Sequence, residues 1–264
     1  MRVSLISIGD ELLNGATVDT NAAWLAERLS ARGCAVVSHR TVGDDRPAIA
    51  AAVREAAVRA DVLITTGGLG PTDDDLTREG VADAIGVGFH TDADAEAHLR
   101  AFFKRIGRKL TPTQLRQAML PDGCEIIPNP WGTAPAFSAR WRRSGGECRL
   151  FVLPGVPSEM RQVFEASVMP RLAGELGGRC TLARVVRCFG ATEAYVGEQV
   201  SDLMARGRNP AVGVTAADAI IGVRINATAD APEAAAAMLE ADVEVVRRRL
   251  GHYVFGEHDP WSTE

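Results

Sequence analysis

Apolar runs at residues 3–8, 35–42 and 61–66 alternate with two segments of helical spacing, and nothing else in the chain narrows its fold as much. The first segment predicts a helix from about Asn21, a good N-cap, through Trp24, Leu25 and Leu29 to a stop at Gly33. The second starts near Pro47, suited to a first helical position, and carries Ile49, Val53 and Ala56 at helical spacing. A chain that repeats strand, helix, strand buries both kinds of element by laying helices over a parallel sheet. The expected fold class is therefore α/β, with a doubly wound, mostly parallel sheet. In such sheets ligands settle beyond the carboxyl ends of the strands. The loops at 9–15, 42–45 and 67–75 are thus predicted to border one crevice.

Further along, residues 92–106 read as a helix with Leu99, Phe102, Phe103 and Ile106 on one face, and Thr111-Pro112 starts a shorter one near 114–119. Strands at 136–141 and 148–153 flank Ser144-Gly145-Gly146, a hairpin signature. Residues 150–160 repeat the earlier design of apolar strand, Gly/Pro turn and helix start near Ser158, which makes a second candidate anion-binding loop. From about Cys180 the pattern becomes strand (183–189), helix (193–205), two short strands (211–215 and 220–227) and a long helix (232–250). That is a separate small α+β domain. The expected organisation is 1–178, 179–258 and a tail, 259–264.

The 264 residues are 46% hydrophobic with a net charge of −5, which supports a substantial core and lacks the basic excess of a dedicated nucleic-acid binder. Cys34, Cys124, Cys148, Cys180 and Cys188 are odd in number and lack CxxC spacing, so reduced thiols are expected, without disulfides or zinc. The first apolar stretch is broken at once by Asp10-Glu11, too soon for a signal-peptide core or a membrane span. A cytoplasmic protein without a membrane segment is expected. The five histidines show no paired metal-ligand spacing, and no GxSxG nucleophile motif occurs.

The chemistry concentrates in Thr65-Thr-Gly-Gly-Leu-Gly-Pro-Thr-Asp-Asp-Asp-Leu-Thr77. Gly67, Gly68 and Gly70 follow a strand and precede a helix, where exposed backbone N–H groups suit a phosphate. The segment is neither a Walker A loop nor a GxGxxG fingerprint. Asp73, Asp74 and Asp75 have a plain explanation as acids at a helix N-terminus, Thr72 and Asp75 resembling a capping box. Successive helical side chains point about 100° apart, so all three do not converge. Left over is negative charge beside an anion cradle, a conflict that a divalent cation held by one or two carboxylates and phosphate oxygens resolves. Asp10-Glu11 and Asp44-Asp45 sit just past strand ends, as further ligands, a base, or solvated turn residues. Such a site suits attack on a phosphoanhydride, one Asp holding the metal and another orienting or deprotonating the nucleophile.

Taken together, "SIGDELLNG", "DTNAAWLAERL", "TVGDD", "TTGGLGPTDDDLT", "LTPTQLRQAMLP", "NPWGTAPAF" and "LPGVPSEM" resemble, in that order, the N-terminal region of the competence/damage-inducible protein A (CinA) family over about residues 3–256. The first part is similar to the molybdopterin-binding fold of MogA and MoaB. The resemblance implies that fold followed by a KH-like domain. It also implies metal-dependent cleavage of a nucleotide pyrophosphate such as ADP-ribose to AMP and ribose 5-phosphate. Ligand contacts carried by the resemblance fall on Gly67, Gly68, Gly70, Pro71, Thr72, Asp74, Asp75 and Thr77, and an acid after the second strand lands on Asp44. Asp44, Asp74 and Asp75 are the catalytic candidates, with the last two as ligands for Mg, Mn or Co. The wider ligand-binding set adds Gly9, Glu11, Thr66, Asn129, Gly132, Thr133, Gly155, Pro157 and Ser158. Departures from the family pattern are Asp10 for Thr, Gln114 for Asn, Val156 for Pro and Ala136 for Gly. Full-length members continue into a deamidase domain about where this sequence ends, so no deamidase function is expected of it.

Residues 180–264 contain no GxxG loop, which disfavours RNA as partner. The expected partners are a small nucleotide or pterin ligand and a second copy of the chain, a dimer being favoured. The alternative to hydrolysis is binding of molybdopterin or a nucleotide, or adenylylation of molybdopterin.

Overall fold

The computed structural model of the protein describes residues 1–143, 146–176, 180–217 and 219–258. The chain divides into two compact units, Met1–Ala26 with Cys34–Glu175, and Glu27–Gly33 with the residues from Leu176 onward. The expected boundary at 178/179, the tight turn at 144–145 and the tail from 259 lie outside the described residues.

In chain order the elements up to Leu176 are β1 (Arg2–Ile8), α1 (Asp10–Leu13), α2 (Thr20–Ala31), β2 (Ala35–Val42), α3 (Arg46–Arg59), β3 (Val62–Thr66), α4 (Thr77–Ile85), β4 (Phe89–Thr91), α5 (Ala93–Arg105), α6 (Pro112–Leu115), β5 (Met119–Pro121), β6 (Glu125–Ile127), β7 (Ala136–Arg143), β8 (Gly146–Leu153), α7 (Pro157–Val163) and α8 (Met169–Leu176). The main sheet has the order β2-β1-β3-β8-β7-β6. Its first four strands are parallel, and β7 and β6 are antiparallel additions at one side. Every residue of β3 is buried, as expected of a central parallel strand covered on both faces. Ile6, Ile8, Leu63, Phe137, Leu150 and Val152 pack with Ile49 and Val53 of α3 to form the main core.

Local chemistry accounts for several boundaries. The Asp45 carboxylate accepts the Ala48 amide and Pro47 occupies the first turn of α3. Gly86 closes α4 in the left-handed conformation, with φ of 76°. Thr111 and Gln114 form a reciprocal capping box on α6. The four parallel strands end at one edge of the sheet, and the loops after β1, β2, β3 and β8 gather there.

The second unit adds β9 (Cys180–Phe189), α9 (Glu193–Gln199), β10 (Ala211–Ala217), β11 (Ile220–Ala229), α10 (Pro232–Leu250) and β12 (Val254–His258). These strands form an antiparallel sheet in the order β10-β11-β9-β12. Val186, Val223 and Ile225 of the sheet pack against Leu239, Val243 and Val246 of α10.

The structure departs from expectation at some edges. α9 stops at Gln199 rather than continuing to 205, and Ser201 Oγ donates to the Glu198 carbonyl, a local bond that competes with helix. α6 is a single turn that passes into a 3₁₀ turn at Arg116–Ala118. β12, β6 and the β4–β5 pair were not expected. None of the five cysteines is in a disulfide, and among the described residues no helix is long and apolar enough to cross a membrane.

Candidate functional site

The glycine loop after β3 is built backwards from α4. Thr77 Oγ1 donates to the Gly67 carbonyl at 2.8 Å and the Thr77 amide to the Gly68 carbonyl at 3.2 Å. The Arg78 guanidinium then takes the Leu69 carbonyl at 2.7 Å and the Gly70 carbonyl at 2.8 Å. All four loop carbonyls are thereby drawn toward the start of α4. In a planar trans peptide the next N–H points the opposite way. Among the described residues the Gly68 and Leu69 amides make no backbone hydrogen bond, whereas the Gly67 amide is paired with the Leu153 carbonyl. Two successive open amides of this kind are an anion-binding concavity. Gly67 has no substitute here: its φ is 101°, and a Cβ would lie 2.1 Å from the Ile8 carbonyl oxygen.

The three consecutive acids do different things. Asp75 Oδ1 accepts the Gly70 amide at 2.8 Å, and Oδ2 accepts the Thr72 amide at 2.9 Å and hydroxyl at 2.5 Å. It ties the loop from inside. Asp73 is fully exposed but forms an ion pair with Arg116 at 2.6 Å, so it does not simply face solvent. Asp74 is exposed on the cleft wall. None of the three lies in the first turn of a helix, because α4 begins at Thr77. Of the expected capping box one half is present, the Asp75 carboxylate accepting the Thr72 amide, while the Thr72 hydroxyl donates to Asp75 instead of accepting its amide.

A cleft of about 440 Å³ opens above the carboxyl edge of the sheet. The glycine loop forms one wall, and the start of α2 and the β8–α7 turn line it as well. Glu11, Asp19, Asp44, Asp74, Asp75 and Glu159 line it, and no Lys, Arg or His does among the described residues. Asp44 Oδ2 accepts the Asp10 amide at 2.9 Å, and Asp10 Oδ1 returns the bond from the Asp44 amide at 3.1 Å. Burial raises the pKa of Asp44, and the neighbouring charges of Asp10, Glu11 and Asp74 push the same way against the Asp10 hydrogen bond. No group of three or more His, Cys, Asp and Glu that could hold a metal ion occurs among the described residues.

Residues 4–174 match the family model described as a probable molybdopterin binding domain, and residues 183–256 match the damage-inducible protein CinA KH domain. The chain belongs to the CinA family. A CinA-like protein of Geobacter metallireducens is 42% identical over 265 residues, covering 100% of this chain and 63% of that relative. One from Frankia casuarinae is 43% identical, covering 98% of this chain and 61% of the relative. The chain thus spans about three fifths of the length of these curated relatives. A crystal structure described as the protein CinA with unknown function, from Thermoplasma acidophilum, is 39% identical with a TM-score of 0.58, covering 65% of this chain and 97% of that one.

In this CinA-family site, Gly9, Glu11, Asp44, Thr66, Gly67 and Gly68 come together at the cleft. Gly70, Pro71, Asp74, Asp75, Thr133, Gly155 and Pro157 join them. Thr72, Thr77, Asn129, Gly132 and Ser158, expected to contact ligand, are set back from the lining. Thr72 and Thr77 hold the loop, and Asn129 is fully buried with its amide on Ala134 and Glu159. Ser158 accepts from the Gln162 side chain through its carbonyl. Sequence reasoning missed Asn21, Asp19, Gln117 and Glu159 on the cleft and Arg78 behind it. Glu159 stood in the quoted "LPGVPSEM", one residue beyond the turn singled out. Arg78 carried no signal, since a basic residue early in a helix reads as surface.

Proposed function

We propose that the first unit hydrolyses a nucleotide pyrophosphate such as ADP-ribose, water adding across the phosphoanhydride to give AMP and ribose 5-phosphate. One observation carries this reading: open amides that suit an anion share a cleft with six carboxylates and, among the described residues, no cationic side chain. A phosphate alone would be repelled there, so a cation must accompany it. The residues fit a hard divalent ion of the Mg, Mn or Co kind. Asp74 is exposed on the cleft, with a Thr72 hydrogen bond favouring its charged form, Asp75 keeps a lone pair beyond its three loop bonds, and neighbouring charges strain Asp44 in a way a cation relieves. Without a group of three protein ligands, such an ion would depend on substrate oxygens, as Mg²⁺ commonly does. Bound there, it would polarise the phosphoanhydride and neutralise charge on the leaving phosphate.

The protein's own groups would divide the work. The Gly68 and Leu69 amides donate to a phosphate oxygen. Asp44, with a raised affinity for protons, receives one from the attacking water. Purified protein incubated with ADP-ribose and Mg²⁺, Mn²⁺ or Co²⁺ is expected to release AMP, and Asp74→Asn to lose most of that release at unchanged thermal midpoint. No AMP with any of the three ions refutes the substrate assignment. The family description supports a second reading, binding of a pterin without turnover, which predicts a tight pterin complex and no AMP.

A further inference from the structure

The β8–α7 side of the cleft has the opposite hydrogen-bonding character to the glycine loop. Asn21, 8% exposed, lines the cleft and donates its Nδ2 to the Gly155 carbonyl at 2.7 Å. Exchanging its oxygen and nitrogen would set two oxygens against each other, so this orientation is forced. The consequence is that Asn21 Oδ1 is buried without a partner among the described residues. Four residues beyond Gly155, Glu159 also lines the cleft. Its Oε2 accepts from Asn129 Nδ2 at 2.8 Å, and Asn129 is fixed by the Ala134 carbonyl at 2.9 Å and the Trp131 amide at 3.3 Å. Gly132 presses on the same carboxylate so closely that a Cβ would fall 1.8 Å from Oε2. Glu159 is therefore held from two sides, while Oε1 has no hydrogen-bond donor among the described residues.

A buried acceptor left unmade costs free energy, and a ligand donor removes that cost. The nearby Asp19 does not compete, since it is occupied by the Ala22 amide at 3.0 Å and by His39 at 3.1 Å. We propose that Asn21 Oδ1 and Glu159 Oε1 form a sugar-reading subsite that accepts the vicinal hydroxyls of a ribose whose phosphate lies on the Gly68 and Leu69 amides. A carboxylate is the usual acceptor for ribose hydroxyls, and a wall of acceptors without donors selects a group that carries several donors. The assignment rests on the nucleotide reading of the cleft and adds which part of the nucleotide each wall holds.

Binding of the product separates this from turnover. Isothermal titration in Mg²⁺ compares AMP, 2′,3′-dideoxy-AMP, purine riboside 5′-monophosphate and inorganic pyrophosphate. The wild-type protein is expected to prefer AMP over the dideoxy nucleotide by about ten- to a hundredfold. In Glu159→Gln and in Asn21→Ala that ratio falls toward one, while pyrophosphate affinity holds. A merely structural role would weaken AMP and dideoxy-AMP by one factor and keep the ratio, which overturns the proposal. So does equal wild-type affinity for the two, or absence of AMP binding. If purine riboside monophosphate binds poorly and the dideoxy nucleotide well, the wall reads the base amine and the ribose assignment fails. Failure to hydrolyse ADP-ribose leaves this measurement standing, because it requires no turnover.

Discussion

Asp44 shows how a single carboxyl can be placed at a cost. Its folded pKa lies above its ordinary value of 3.8, first through burial and then through Asp10, Glu11 and Asp74. The folded state therefore favours the protonated form, and stability present below the ordinary value is lost as pH rises through the folded value. Asp44→Asn is expected to raise the thermal midpoint at pH 7, the gain vanishing below pH 3.8, while AMP release falls. Calorimetry across that range checks it, and a midpoint that drops at pH 7 contradicts it. Arg78 is the converse case, a guanidinium only 2% exposed that serves two carbonyls. Arg78→Met leaves the Gly70 carbonyl unpaired and the Leu69 carbonyl with Gln117 Nε2 alone at 3.2 Å, and urea unfolding should show a loss of about 1–2 kcal/mol. Pyrophosphate affinity should fall with it, because the amides are aimed only while the carbonyls are held.

At the scale of elements, the strand–helix alternation was legible because apolar runs bounded by caps repeat with the periods of strand and helix. The short pieces were not. β4 and β5 are three residues each and pair only with each other, so no window of sequence is long enough to carry a period. β12 depends on pairing with β9, which lies about seventy residues earlier. The α3 cap illustrates where sequence stops. Asp44 and Asp45 are adjacent and chemically identical, yet Asp45 is spent on the Ala48 amide and only Asp44 enters the cleft. Asp45→Ala is expected to cost about 1 kcal/mol of stability and leave AMP release intact. A matching loss of activity would show that the two acids share a role.

For the molecule as a whole, each unit has its own core, and every residue lining the cleft belongs to the first. The acid limb of stability has a marked contributor in the second. The Asp202 carboxyl, hydrogen-bonded to Arg249, is held down at about 2. A depressed carboxyl stabilises the fold above its ordinary pKa and loses that contribution as pH falls through its folded value. The wild-type thermal midpoint should therefore decline between pH 4 and about 2 more steeply than that of Arg249→Gln. Identical acid limbs would remove Asp202 from the account.

What the sequence determined by itself was the class of fold, the edge of the sheet where the cleft opens and the glycines needed to leave amides open. Those follow from periodicity and from backbone freedom, both local properties. Only the tertiary structure decided which acid became a cap, a loop tie, an ion pair or a cleft carboxylate. It also decided that Asn129 would hold Glu159 thirty residues away. Side-chain direction and partner depend on where separate elements meet in space, and spacing along the chain does not encode that.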